Sequence, residues 1–414
     1  MEPGLELSQR HKTVCILFGC VALLLPFLAI WQLMLIVLAV TIGFASLTPR
    51  VSAHLCFAVL ILVVLSWVLN FPIYLLGASI AIVTFSAMAR DLIAQRKTIR
   101  GSVTFLVFGV IFAFCIGSWV IALTKIVISS QFMFFLAVIG AITGALLESI
   151  PHANDDLTVP LGSAMAMWLF ADFEYWVPPH HLILALVLML AIGYVSYKVS
   201  IADITGALSG VLLGVLIIVF GSIKWFVILL VFFILGGVFT RYKYGYKQSL
   251  GIAQAEGGAR GYRNVFGNGL VALILAVAEG VFGGPIFLIA YLGAIATATG
   301  DTLASEIGET SKTQPRVITT FKKVPAGTSG AISLLGELAA LIGSAVIGIL
   351  ATLLGMAGLH VAAITILGGF IGTNIDSLLG ATLENRGYLT NSSVNLFATA
   401  AGAIVSAGLY YVLV

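Results

Sequence analysis

Charged residues are scarce in this chain of 414 residues, and their scarcity excludes a soluble globular protein. Lys, Arg, Asp and Glu together make up 9% of the residues, whereas soluble domains carry roughly 25%. Hydrophobic residues make up 60%, and the mean hydropathy is +1.14. Many apolar runs approach the length of about 20 residues that a helix needs to cross a bilayer. The composition therefore predicts an integral membrane protein.

Motifs of several common protein classes are also missing. The sequence contains no GxxxxGK[ST] phosphate loop, no glycine-rich dinucleotide pattern after a strand and no HExxH metal motif. The four cysteines lie in apolar runs without metal-like spacing, so we interpret them as packing residues. Only the cations of a few loops could attract nucleic acid, and we expect no nucleic-acid partner.

Charged, proline and glycine clusters divide the chain into about fifteen apolar spans. The approximate cores are 13–30, 31–47, 52–69, 71–89, 101–123, 130–149, 157–173, 180–197, 203–220, 223–239, 266–282, 284–300, 328–354, 358–381 and 393–413. The predicted fold is an all-α polytopic membrane protein with about fifteen transmembrane helices. With a cytosolic N-terminus, all but Lys125 and Lys224 of the twenty Lys and Arg residues fall inside. We therefore predict a cell-membrane protein whose N-terminus and active-site loops face the cytosol.

The chain also divides into two weakly similar halves, 1–200 and 201–414. KTIRGSVTF at 97–105 and KVPAGTSGAIS at 323–333 each place a lysine, a glycine and a hydroxyl residue before an apolar span. An acid follows at similar distance in each half, Glu148 and Asp376. This spacing indicates an internal repeat, and chance similarity between membrane helices is the alternative. The acids near residue 301 have no counterpart before Lys97, so we expect activity in the second half.

The segment 300–330, GDTLASEIGETSKTQPRVITTFKKVPAGTSG, is the strongest candidate for a functional site. Its acids include Asp301 and Glu306, and carboxylates bind hard cations such as Mg²⁺. These two acids lie on different faces of an ideal helix, so one metal could touch both only if the helix breaks. Gly300 and Gly308 would permit such a break. The alternative is an ordinary charged loop between two membrane helices.

Cations and a small-residue turn follow these acids. Lys322 and Lys323 are suited to phosphate oxygens. The turn Gly327-Thr328-Ser329-Gly330 offers backbone N–H groups that can cradle an anion. Acids, lysines and glycine turn together predict a site for a magnesium-bound phosphate.

Asp376 lies near the predicted cytosolic end of its own span, close to Asn374. A charged side chain at membrane depth is costly, so such a residue is a functional candidate by default. An interfacial acid paired with Arg386 is the alternative for Asp376.

The loop 240–268 is the longest in the protein and is strongly basic. Arg260 and Arg263 stand beside glycines that would let a guanidinium approach a phosphate, and Asn268 opens the next span. Binding of anionic membrane lipids by an ordinary basic loop is an equal alternative.

Several of these stretches resemble a membrane family of unknown function that includes plant phytyl-phosphate kinase. The stretches are GDTLASEIGE, ITTFKKVPAGTSGAISLLGELAA, GTNIDSLLGATL, LTNSSVN and KYGYKQSLGIAQAEGGARGYRNVFGNG, within about 201–400. The first half is similar, less closely, to the C-terminal part of polyprenol kinases at KTIRGS and ESIPHANDDLTVPL. Ala87-Met88-Ala89-Arg90 stands where those kinases have an acid motif.

The resemblance implies Mg²⁺-dependent phosphoryl transfer from CTP or ATP to an isoprenyl monophosphate, giving the diphosphate. It implies catalytic roles for Asp301, Lys323 and Asp376, with Asp301, Glu306 and Asp376 on metal. The implied substrate-binding residues are Arg260, Arg263, Asn268, Lys322, Gly327, Thr328, Ser329, Gly330 and Asn374. The isoprenoid chain would lie between small-residue helices and be open to the membrane lipids. A polyprenol kinase or cytidylyltransferase-like enzyme, a transporter and a scaffold protein are the alternatives.

Overall fold

A computed structural model describes residues 3–47, 53–151, 153–254 and 258–413. The described chain is almost entirely helical, which confirms the all-α expectation. It divides into two compact units, Met1–Leu184 and Ala185–Val414. The proposed repeat of two functional halves, divided at residue 200, stays a prediction.

The first unit consists, in its described residues, of helices α1 to α8 and the start of α9. Their bounds are α1 (Pro3–Leu24), α2 (Ile30–Leu47), α3 (Ala53–Val68), α4 (Ile73–Ala81), α5 (Ala87–Ile93), α6 (Ile99–Thr124), α7 (Ser130–Ser149), α8 (Asp155–Asp172) and α9 (Pro179–Lys198). A π-helical segment, Ile82–Ser86, joins α4 to α5. Helices α4, α6, α7 and α8 pack against one another in the sequence α4–α6–α7–α8.

The second unit begins within α9 and contains helices α10 to α17. Their bounds are α10 (Ile204–Phe220), α11 (Ile223–Arg241), α12 (Tyr244–Ser249), α13 (Tyr262–Phe282), α14 (Pro285–Gly308), α15 (Leu334–Leu353), α16 (Leu359–Leu379) and α17 (Asn391–Leu413). A second π-helical segment, Gly380–Glu384, continues α16. Between α14 and α15, the short strands β1 (Arg316–Val317) and β2 (Ala331–Ile332) pair antiparallel.

Helix α14 lies at the centre of the second unit, where it packs against α11, α13, α15, α16 and α17. Small residues make this packing possible, as they commonly do between membrane helices. A Cβ atom added at Gly300 would lie 2.7 Å from Oγ1 of Thr373, and one at Gly293 would lie 2.2 Å from Oγ of Ser406. The C-terminal turns of α14, which carry the predicted acids, are therefore fixed by neighbours on several sides.

The expected number of membrane crossings is not confirmed. Each of the fifteen predicted apolar cores overlaps a helix, but among the described residues ten helices are long and apolar enough to span a membrane. Four more are apolar but shorter: Lys12–Phe27, Ile30–Gly43, His54–Val68 and Ile204–Phe220. Helix α8 is not among either group, and it contains Asp155, Asp156 and Asp172. A polytopic helical protein is confirmed, whereas a count of about fifteen crossings is not.

Candidate active site

A polar cavity of about 440 Å³ lies at the C-terminal end of α14 in the second unit. Its wall also contains residues of α13, α15, α16 and α17, of the π-helical segment Gly380–Glu384 and of the loops before α13 and β2. The predicted site residues that line it are Arg260, Asn268, Asp301, Glu306, Gly327, Thr328, Ser329, Gly330 and Asp376. Segments far apart in the sequence therefore bring most of the predicted site together.

Four predicted residues lie outside this wall. They are Arg263, Lys322, Lys323 and Asn374. Lys322 and Lys323 are exposed between the two strands, and the exposed Arg263 donates a 3.1 Å hydrogen bond to the hydroxyl of Tyr262. Asn374 donates to Glu337, a cavity residue, at 3.2 Å. The roles assigned to these four residues stay predictions.

Asp301 on α14 and Asp376 on α16 bring their carboxyl groups close enough to interact directly and to share a proton. Oδ2 of Asp376 is buried and has no hydrogen-bond partner among the described residues. Two neighbouring carboxylates repel each other unless a proton or a cation lies between them. Since Mg²⁺ is commonly bound by one or two carboxylates together with substrate phosphates, the pair fits the protein's share of a magnesium site. In the described ranges, no three His, Cys, Asp or Glu side chains lie close enough together to bind a metal by themselves.

Glu306, five residues further along α14 and on another face, has a different environment. Its side chain is 2% exposed and forms an ion pair with Nζ of Lys247 on α12. Thr240 and Gln254 donate to its Oε1 at 2.9 Å and 2.8 Å. Helix α14 continues unbroken to Gly308, so the break that a metal shared by Asp301 and Glu306 would require is absent. The protein itself neutralises Glu306, and its role as a metal ligand stays a prediction.

Arg260 is the cation of the cavity wall, and it is 5% exposed. Its backbone N–H donates to the carbonyl of Ile201 at 2.9 Å, and its guanidinium lies 5.6 Å from the ring centre of Phe232. Burial lowers the pKa of Arg260 to about 10, while the charge of Glu306 opposes the shift. Arg260 therefore remains charged at neutral pH. Its Nη1 has no partner among the described residues, so it can donate to a phosphate oxygen.

The turn from Gly327 to Gly330 is shaped by its two glycines. Their φ angles are +80° and +74°, in the left-handed region that favours glycine. A Cβ atom at Gly330 would lie 2.3 Å from the backbone N of Ala381. Within the described chain, the N–H groups of Thr328, Ser329 and Gly330 have no intramolecular acceptor. Free N–H groups in such a turn form a concave site for an anion.

The cavity wall is strongly acidic. Its carboxylates are Asp301, Glu306, Glu309, Glu337, Asp376 and Glu384, against one arginine. Burial and the charge of Glu306 raise the pKa of Glu309 to about 7, although Lys247 opposes the rise. This wall would repel a bare polyphosphate, so a phosphate donor would have to enter together with a cation.

Three asparagines and a lysine of this site were not singled out from the sequence. Asn264, Asn391 and Asn395 line the cavity with Asn268, and Oδ1 of both Asn264 and Asn395 has no partner within the described part. Asn264 and Asn268 are four residues apart and so share a face of α13. From this spacing, the sequence could have indicated that Asn264 belongs to the same site as Asn268. From the sequence, Lys247 was grouped with the other cations of the basic loop. A buried acid such as Glu306 requires a cationic partner, and Lys247 is that partner.

A second group of charges lies in the first unit, and three of its members, Arg90, Glu148 and Asp155, are buried. Arg90 is fully buried, and its Nη1 lies 2.7 Å from Oε1 of Glu148. Arg96 donates to Oδ2 of Asp155 at 2.9 Å, and Lys97 donates to the carbonyl of Ile150 at 2.9 Å. Both carboxylates of this group are therefore paired with arginines of the same unit.

The family described as integral membrane protein DUF92 matches residues 187–403, just over half of the chain. This chain belongs to the DUF92 family. The matched residues include the whole wall of the polar cavity. The DUF92 match confirms the family expected from the sequence motifs and the integral membrane character.

Curated relatives of this DUF92 chain include proteins of an archaeon and a plant. An uncharacterized membrane protein of Methanocaldococcus jannaschii is 34% identical over 229 residues, which are 55% of this chain and 94% of that protein. Protein PGR of Arabidopsis thaliana is 31% identical over 236 residues, or 51% of this chain and 82% of that protein. Protein VTE6, chloroplastic, of the same plant is 30% identical over 201 residues, or 45% and 60%. No solved structure is significantly similar to this chain.

Proposed function

We propose that this protein transfers a phosphoryl group from a nucleoside triphosphate to an isoprenyl monophosphate and so forms the diphosphate. The observation that carries the proposal is the contact between Asp301 and Asp376 in a cavity that also contains the unpartnered Arg260. The resemblance to the family that includes plant phytyl-phosphate kinase supports it, as does the similarity to VTE6.

The proposed reaction requires positioning and charge neutralisation more than covalent catalysis. An oxygen of the acceptor phosphate attacks the γ-phosphorus of CTP or ATP, the bond to the β–γ bridging oxygen breaks, and the nucleoside diphosphate leaves. A phosphate monoester loses its second proton with a pKa of about 6, so the acceptor is already ionised at neutral pH. The reaction therefore needs no general base.

The side chains divide this work among themselves. Asp301 and Asp376 would bind Mg²⁺, which supplies positive charge to the phosphates of the donor. The N–H groups of residues 328–330 would orient the donor phosphates, and Arg260 would bind the acceptor phosphate. Glu306 and Lys247 would act as positioning residues, because their ion pair joins α12 to α14.

The position of the label in the product tests this reaction. The purified protein is incubated with an isoprenyl monophosphate and CTP or ATP that carries radioactive phosphorus at either the α or the γ position. We expect lipid product labelled from the γ position only, and only with Mg²⁺. Label from the α position would instead identify a cytidylyltransferase, and absence of labelled lipid with both nucleotides would favour a transporter or scaffold.

The proposal includes an orientation, with the cavity open to the cytosol of a cell membrane. The distribution of lysines and arginines supports it. Single cysteines introduced at Ser249 and Thr313 should resist an impermeant thiol reagent in intact cells and react after the membrane is opened. Labelling from outside would reverse the orientation.

A further inference from the structure

A second, apolar cavity of about 90 Å³ lies in the second unit between α9, α10 and α11. Most of the residues that line it are apolar, three of them glycines, and among the described residues its polar members are Ser196 and Arg260. Arg260 lines the polar cavity as well. One buried cation therefore stands at the junction of a polar and an apolar space.

The structure makes room for the guanidinium at this junction. A Cβ atom at Gly236 of α11 would lie 2.3 Å from Nη2 of Arg260, so any larger residue there would displace the guanidinium. The ring of Phe232 covers another side. Nη1 of Arg260 nevertheless has no hydrogen-bond partner among the described residues. A buried N–H group without an acceptor is costly, and the residue that carries this one lines both cavities.

The apolar cavity has an open side and unfilled space. Ile234 of α11 lines it and is 51% exposed. Helix α11 is apolar and long enough to span a membrane. In a bilayer, this exposed position would face hydrocarbon and would give a lipid chain a lateral entrance. Gly210 of α10 also lines the cavity, and a Cβ atom added there would meet no atom within 4 Å.

We propose that the apolar cavity binds the hydrocarbon chain of the lipid monophosphate acceptor, with its phosphate on Arg260 at the junction. This inference rests on the proposed function and assigns the acceptor's place in it. The charge of the guanidinium complements the phosphate, and the apolar wall complements the chain. The cavity is narrow, at about 90 Å³ against about 440 Å³ for the polar one. It therefore fits one chain better than the two chains of a bilayer phospholipid.

The test fills the cavity at Gly210. In Gly210→Leu, we expect the KM for geranylgeranyl monophosphate to rise by at least about tenfold, because a specific apolar pocket discriminates by this order. The KM for dimethylallyl monophosphate and kcat should stay unchanged, since a short chain does not reach the filled space. Gly408→Leu is the matched control, because Gly408 lies in a helix, has open space at its Cβ position and lines neither cavity. Ile234→Trp, at the exposed entrance, is a second variant that leaves the interior intact.

Binding without nucleotide separates this inference from the proposed reaction. Thermal stabilisation of the purified protein by geranylgeranyl monophosphate should be strong for wild type and Gly408→Leu, and weak for Gly210→Leu and Arg260→Gln. This pattern supports the acceptor site even if no phosphoryl transfer is found. Equal stabilisation of Gly210→Leu and Gly408→Leu would overturn it, as would absence of stabilisation of the wild type. Equal or stronger stabilisation by phosphatidic acid would assign the cavity to a bilayer lipid instead.

Discussion

The buried carboxylates of the two units have neighbours of different charge. In the first unit, Glu148 pairs with Arg90 at 2.7 Å and Asp155 pairs with Arg96 at 2.9 Å. In the second unit, Asp301 meets another carboxyl group, that of Asp376. An acid beside an arginine has its charge neutralised within the protein, whereas two facing acids require a proton or a cation from outside.

This difference separates a structural cluster from a chemical one. By its resemblance to polyprenol kinases, the first unit has Arg90 where those kinases have an acid motif. In this structure the guanidinium of Arg90 lies beside Glu148 and neutralises its charge. Glu148 and Asp155 each keep one buried oxygen without a hydrogen-bond partner among the described residues, as Asp376 does. The difference is that each of them has an arginine on its other oxygen, whereas the neighbour of Asp376 is another acid, Asp301. We therefore expect substitutions in the first unit to change stability and those in the second to change activity.

The largest effect is expected from Arg90→Met. Removal of one partner of a buried ion pair leaves an uncompensated charge, which typically costs about 3–5 kcal/mol. Thermal unfolding of the purified protein should show this loss, and Arg90→Met combined with Glu148→Leu should recover most of it. Asp376→Asn is the comparison in the second unit, and it should preserve or raise stability without Mg²⁺ because it removes a repulsion. Equal destabilisation by Arg90→Met and Asp376→Asn would break the contrast between the units.

The second largest effect is expected on the turnover number, kcat, when either facing acid is replaced. Asp301→Asn and Asp376→Asn keep the size of the side chain but remove charge that binds a hard cation. Each should lower kcat at least about 100-fold, because the cation neutralises charge in the transition state. Glu279→Gln is the control, since Glu279 lies on α13 of the same unit but does not line the cavity. Monodisperse Asp301→Asn with full activity would refute the site.

A smaller effect is expected from Mg²⁺ on thermal stability. A ligand that binds only the folded state stabilises it by about 2.7 kcal/mol at a concentration about 100 times its Kd. Wild type should gain stability with Mg²⁺ and nucleotide and lose it with a chelator. Asp301→Asn should respond little, whereas Lys97→Ala in the first unit should respond as wild type does. A response that depends on Lys97 would indicate a site that needs both units.

The smallest effect concerns pH and Glu309. Its pKa is raised to about 7 by burial and by the charge of Glu306, whereas an ordinary glutamate titrates near about 4.3. Between these values the folded state binds more protons than the unfolded state, so stability falls as pH rises and levels off above about 7. Glu309→Gln should remove this slope, which melting curves between pH 5 and pH 8 can measure. A slope that persists in the variant would assign the titration to another group.

The helices were predictable from the sequence because a long apolar run in a bilayer has few alternatives to a helix. The two π-helical segments were not predictable in this way, because an apolar run does not distinguish a π-helix from an α-helix. The short helix α12 was not predictable either, since its Lys247 pairs with Glu306, which is distant in the sequence. Their positions are set by packing and not by hydropathy.

The acids of the site were found because charges are rare at membrane depth. Asp301 and Asp376 stand out in apolar sequence, but nothing in the pattern shows that they meet each other. Lys322 and Lys323 were chosen for their closeness in sequence to the turn, yet both are exposed outside the cavity wall. Lys247, Asn264 and Asn395 escaped notice because a lysine in a basic loop and asparagines at helix ends have common structural roles.

Each unit contains a π-helical segment close to its buried charges, and the number of residues in such a segment affects where nearby side chains point. Ile82–Ser86 comes shortly before Arg90, and Gly380–Glu384 follows Asp376 and ends on Glu384 of the cavity wall. Such a segment accommodates one residue more than a regular α-helix, and each residue turns a helix by about 100°. Deletion of a single residue within Ile82–Ser86 would therefore rotate the later side chains of α5, Arg90 among them, about the helix axis. Gly380–Glu384 is followed by a turn, so a deletion there would move Glu384 itself. We therefore expect deletion of one residue within Ile82–Ser86 to turn Arg90 away from Glu148 and to lower thermal stability, because it would leave a buried charge without its partner.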